Sequence, residues 1–126
     1  MEVRNVLLTG CGDTLQIGWS RHYNYAKEAV IVPHHCEGEG SLRVATVYVN
    51  IHVKDVNRGA NKVFETNLSE LNNITKQVST LLRNHVVKGE GYNWVVSSIM
   101  PPLEEPNKNE HFVSVILTAY IRSKQH

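Results

Sequence analysis

Apolar and polar residues alternate along the stretch from Ser41 to Val56. Ala45, Val47, Val49, Ile51 and Val53 occupy its odd positions; Thr46, Tyr48, Asn50, His52 and Lys54 occupy the even ones. Successive side chains of a strand point to opposite faces, so this pattern predicts one long strand with a buried face and a polar face. The β-branched residues at 47, 49, 51 and 53 favour the same conformation. The run exceeds the common strand length of about 5–6 residues and so belongs inside a sheet. His111 to Arg122 alternates in the same way, with Val113, Val115, Leu117, Ala119 and Ile121 set against Ser114, Thr118 and Arg122. Two shorter strands are predicted, Ala29 to Val32 ended by Pro33, and Tyr92 to Ile99 ended by Pro101 and Pro102.

The period changes after Glu65. Leu68, Leu71, Ile74, Val78, Leu81 and Leu82 recur every three or four residues and give a helix one apolar stripe. Asn67 is a favoured N-cap, and Glu70 three residues later fits a capping box. The helix should end between Asn84 and Lys88, before Gly89 and Gly91. A short helix over residues 3–11, closed by Gly10 or Gly12, must lean on the sheet to form at all. Residues 12–28 have no clean period; Trp19, Tyr23 and Tyr25 are expected to cover one end of the core.

These elements give the order helix, strand, strand, helix, strand, strand. Glu37 to Gly40 suits a reversal between the first two strands, and loops span 55–65 and 100–110. The fold expected is α+β: a mostly antiparallel sheet of about four strands in two hairpins, packed by one long helix and a short N-terminal helix. Residues 1–126 form a single domain. The face carrying Tyr48, Asn50 and His52 is left to solvent or to another subunit.

Composition narrows the function. The net charge is +1, from 13 basic and 12 acidic residues, without the basic excess of a protein that grips phosphates. Two cysteines, Cys11 and Cys36, make no disulfide framework and read as reduced thiols in the cytoplasm. No signal peptide or membrane-spanning run is expected, so the triplets at Asn67 and Asn73 should carry no sugar.

The candidate chemistry is thin. In His34-His35-Cys36 only alternate residues share a side of an extended chain, and two ligands are too few for structural zinc. Glu104 and Glu105 are neighbours in a proline-rich loop, whereas an acid–base pair faces one substrate from separate supports. Neither cysteine has an evident base, and the glycines at 38, 40, 89 and 91 form no phosphate loop. No cofactor, metal or catalytic residue is expected.

The middle and end of the chain carry a resemblance. Tyr48-Val49-Asn50-Ile51-His52-Val53-Lys54-Asp55 leads through a polar loop into the helix with Leu68, Leu71, Ile74 and Val78. Gly91-Tyr92-Asn93-Trp94-Val95-Val96, Pro102-Leu103-Glu104-Glu105 and Glu110-His111-Phe112-Val113-Ser114-Val115-Ile116-Leu117 follow. Over residues 29–122 this resembles the tail-completion (tail terminator, or head–tail joining) proteins of tailed bacteriophages, especially phages of Bacteroidetes. Residues 1–28 depart from that pattern, which begins with a longer helix.

The resemblance implies a structural protein of the virion neck, assembled in the host cytoplasm as a ring, commonly a hexamer. It would join the tail tube to the connector on the portal side and leave a channel for DNA. A ring needs two different matching surfaces on each subunit. Tyr48 and His52 on the polar face, Arg58 and Lys62 in the first loop, and Leu103, Glu104 and Glu105 in the second are the candidate contact residues. The alternatives are another connector ring, a stopper or adaptor, and a small metal- or ligand-binding domain or His/Cys enzyme.

Overall fold

The computed structural model describes residues 10, 15–19, 27–37, 42–57, 64–84, 92–105 and 109–122. Along the chain these form β1 (Gln16–Gly18), β2 (Lys27–Glu37), β3 (Leu42–Lys54), β4 (Val56–Asn57), β5 (Phe64–Glu65), α1 (Leu68–Asn84), β6 (Tyr92–Ile99), β7 (Leu103–Glu105) and β8 (Glu110–Arg122). One six-stranded sheet runs in the order β1-β2-β3-β8-β6, with β7 also paired to β8, and β4 and β5 form a two-stranded ribbon.

The two alternating runs sit side by side. β3 and β8 pair antiparallel and in register from Leu42↔Arg122 to Lys54↔Glu110. β2 lies antiparallel on the far side of β3, and β6 on the far side of β8. Beyond β6, the amide of Met100 donates to the Ser114 carbonyl at 3.0 Å, and β7 then pairs with residues 110–112. Both central strands are therefore flanked on each side along most of their length.

The predicted sheet of about four antiparallel strands is corrected to six, and the sheet is mixed because β1 runs parallel to β2. β1 and β7 have three residues each, too few to show a period. The expectation that Trp19 covers the core is also corrected. Trp19 is 48% exposed, and Leu15 and Ile17 enter the core instead; Tyr23 and Tyr25 lie outside the described residues. β2 does not stop at Pro33. It continues to Glu37 through a bulge between Pro33 and His35. Among the described residues β2 has no outer neighbour beyond Val30, so Pro33 stands on an edge where its missing N–H is tolerated.

A single described helix packs the sheet, where a long and a short one were expected. The short helix predicted over 3–11 lies outside the described residues except for Gly10. That residue approaches α1 closely: a Cβ there would come 2.5 Å from Leu81 Cδ1, and the Leu81 side chain would have to shift to admit it.

α1 covers the face formed by the odd positions of β3 and β8. Val47, Val49, Ile51 and Val53 meet Val113, Val115 and Leu117, together with Leu71, Ile74, Val78 and Leu82 of the helix and Trp94 of β6. Leu68, predicted to join the stripe, starts the helix and is 50% exposed. Asn67 caps as expected, its Oδ1 accepting from the Glu70 amide at 3.4 Å. The Glu70 carboxylate turns to Lys27 Nζ of β2 at 2.9 Å. That half-exposed pair contributes at most about 1 kcal/mol. At the other end of α1, the Trp94 indole N–H donates to the Leu82 carbonyl at 3.0 Å, occupying one of the carbonyls a helix terminus leaves open.

The centre and rim should differ sharply in cost. Leu117→Ala, at a fully buried site, should lose about 2–5 kcal/mol of unfolding free energy. Leu103→Ala, 51% exposed, should change it by no more than ~0.5 kcal/mol. Urea unfolding followed by circular dichroism measures both, and equal losses would contradict this placement of the core.

Candidate functional site

The sheet face away from α1 is built from the even positions of β3 and β8. In register order, Thr46 faces Thr118, Tyr48 faces Ile116, Asn50 faces Ser114 and His52 faces Phe112. Val30 and Val32 of β2 align with Asn50 and Tyr48. The middle of this face carries no charged residue. The Ser114 hydroxyl donates to Asn50 Oδ1 at 2.7 Å, a cross-strand tie of the kind that stabilises a sheet locally.

Charge gathers at one end of the β3–β8 pair. On the outer face His52 is buried and stacks on Phe112, with ring centroids 4.9 Å apart. Its Nδ1 lies 3.1 Å from Glu110 Oε1 and 3.8 Å from Glu105 Oε2. The first distance is a hydrogen bond; the second is electrostatic only. Glu28 aligns with His52 from β2 and is buried as well. Buried carboxylates demand partners, and Glu28, His52, Glu105 and Glu110 all make further interactions.

On the helix-covered face, one residue along, a second cluster closes the same end. His111 Nδ1 is 2.7 Å from Asp55 Oδ1, and the Thr66 hydroxyl sits 3.1 Å from His111 Nε2. The Asp55 amide donates to the Asn109 carbonyl at 2.8 Å. Asn109 has φ of 49°, a left-handed conformation that Asn adopts more readily than most residues, and it turns the chain into β8.

Asp, His and a hydroxyl in series have the composition of a nucleophilic triad. The geometry differs. Thr66 Oγ1 is also 3.3 Å from His111 Nδ1, nearly as close as to Nε2. An oxygen almost equidistant from both ring nitrogens does not lie on the line of the Nε2 lone pair, the line along which a base accepts a proton. We read the cluster as a staple that joins the β3 exit, the α1 entry and the β8 start.

The residues expected to make contacts are dispersed. Tyr48 is half-buried in the middle of the outer face, and His52 is buried in the polar end. Leu103 and Glu104 are exposed on β7, while Glu105 turns toward His52 as strand alternation requires. Arg58 and Lys62 lie outside the described residues, as does Cys11. His34 and Cys36 belong to β2, their side chains outside the described set. Among the described residues no three His, Cys, Asp or Glu side chains are arranged to hold a metal ion. No described helix is long and apolar enough to cross a membrane.

Sequence reasoning missed both polar clusters. Asp55 and His111 are 56 positions apart, and only the β3–β8 register brings them together. Matching the two alternating runs end to end aligns Lys54 with Glu110 and would have found both. The chain matches no family model and no curated protein.

The staple makes a quantitative claim. Asp55→Ala and His111→Ala should each lower stability, and the double variant should lose less than the sum, with a coupling of about 0.5–3 kcal/mol. Additive losses in urea unfolding would mean that the 2.7 Å contact contributes nothing.

Proposed function

We propose that this chain is a ring-forming structural subunit of the head–tail junction of a tailed bacteriophage, a tail-completion or tail terminator protein. Its ring, commonly a hexamer in such proteins, joins tail tube to connector and leaves a channel for DNA. The residue pattern of Tyr48–Asp55, α1, Gly91–Val96 and Glu110–Leu117 supports this reading, and two of those segments supply the central strand pair of the sheet.

The observation that carries it furthest is a run of apolar residues on the rim. Ile99, Met100, Pro101, Pro102 and Leu103 follow one another and all are exposed. Consecutive exposed apolar residues cost solubility and persist where something covers them. The run leads from the end of β6 into β7, beside Glu104, in the stretch where contact between subunits was expected. The near balance of 13 basic and 12 acidic residues suits a channel that passes DNA without holding it.

A connector ring of another kind, a stopper or adaptor, shares this chemistry and differs only in where it sits. Fold alone does not assign the position. Locating the subunit in a particle map separates the two.

The purified chain, or the chain added to tailless or headless particles, should form rings with a central hole by electron microscopy. Met100→Asp with Leu103→Asp should abolish them while leaving the monomer folded. It should also leave duplex DNA unretarded at physiological salt. A chain that forms no ring in solution or on particles, or that binds DNA with a steep salt dependence, contradicts the proposal.

A further inference from the structure

The two edges of the six-stranded sheet are unlike. On one side β2 is shielded by β1 over residues 28–30 and blunted beyond it by Pro33. Prolines, bulges and charges are the devices by which natural edges avoid pairing with other chains. On the other side β6 has no second neighbour among the described residues. Its sequence, Tyr-Asn-Trp-Val-Val-Ser-Ser-Ile, contains neither charge nor proline, and like β2 it carries one bulge, between Val96 and Ser98. Val95 is 47% exposed on the outer face, and Tyr120 of β8, next to β6 on that face, is 45% exposed.

From this asymmetry we infer that β6 is a strand-addition edge whose occupant is β6 of a second copy of this chain, paired antiparallel about a two-fold axis. Charge selects both the occupant and the direction. A two-fold contact must match itself, and an uncharged strand meets its own copy with no like charges opposed. The first charges outside β6 are Glu90 before it and Glu104 after it, at the β7 end. Antiparallel pairing sends the two Glu104 side chains to opposite ends of the joined strands, whereas parallel pairing would set them side by side. The two-fold keeps the outer faces on one side, so Val95 and Tyr120 of both copies form one apolar strip across the seam.

This contact is isologous and independent of the head-to-tail contacts of a ring. Sedimentation of the full chain over a wide concentration range should reveal a reversible dimer. Val95→Lys, an exposed substitution that places two ammonium groups across the seam, should weaken it about tenfold or more. Glu104→Gln should leave it unchanged, because the antiparallel arrangement keeps those residues apart. An introduced Val95→Cys, in a background with Cys11 and Cys36 replaced by Ser, should form an intermolecular disulfide, and a Glu104→Cys control should not. A chain that stays monomeric, or that takes a strand from a different protein at β6, overturns the inference. Rings that persist unaltered in Val95→Lys, with no separate dimer, also overturn it while leaving the ring reading intact. A dimer lost in Val95→Lys, from a chain that builds no ring, upholds the strand pairing and removes the ring.

Discussion

The in-register antiparallel pairing of β3 with β8 is the constraint from which the rest of the molecule follows. Strand periodicity is two, so a slip of one residue would send every apolar side chain of β3 to the wrong face. In the observed register the odd residues of both strands lie under α1, and their even residues form the outer face. Val49, Ile51, Val115 and Leu117 are fully buried between them and the helix. Full burial of a side chain of this size is worth about 1.5–3 kcal/mol. The helix, by contrast, has a polar outer face and owes its position to the stripe it lays on this pair.

The same pairing locates the polar chemistry. Both polar clusters sit where Lys54 meets Glu110, one on each face of the sheet. His52 with Glu110 and Glu105 ties β3, β8 and β7 together on the outer face. Asp55 with His111 and Thr66 ties the strand exit to the helix entry on the other. Buried polar contacts of this kind fix geometry more than they add stability, because desolvation offsets much of the attraction. That end is pinned from both sides, and β7, with the rim run that precedes it, is held from this anchor.

Much of this was legible in the sequence, and the failures have physical causes. The alternation of Val47 to Val53 and of Val113 to Leu117 gave the buried faces correctly, because each run is long enough for period two to stand out. Asn67 gave the helix start through its capping chemistry, and the α1 stripe held from Leu71 to Leu82. Leu68 did not: it is the first residue of the helix and is half exposed. β1 was illegible because three residues around Ile17 hold no period. Pro33 misled for the opposite reason: it ends a central strand but not an open edge. The contact candidates at 103–105 were expected in a proline-flanked loop and instead form β7, too short to show a period; the burial of His52 was illegible because nothing local to it announces Glu110.

If the β3–β8 pair is the organising unit, its amides should open last. Native-state hydrogen exchange on the full chain, at increasing denaturant, measures this residue by residue. Amides of residues 47–53 and 113–117 should exchange only through global unfolding, with those of α1 opening at equal or lower free energy. Exchange of the two strands through a local opening while α1 stays protected would show that the helix, and not the strand pair, holds the fold together.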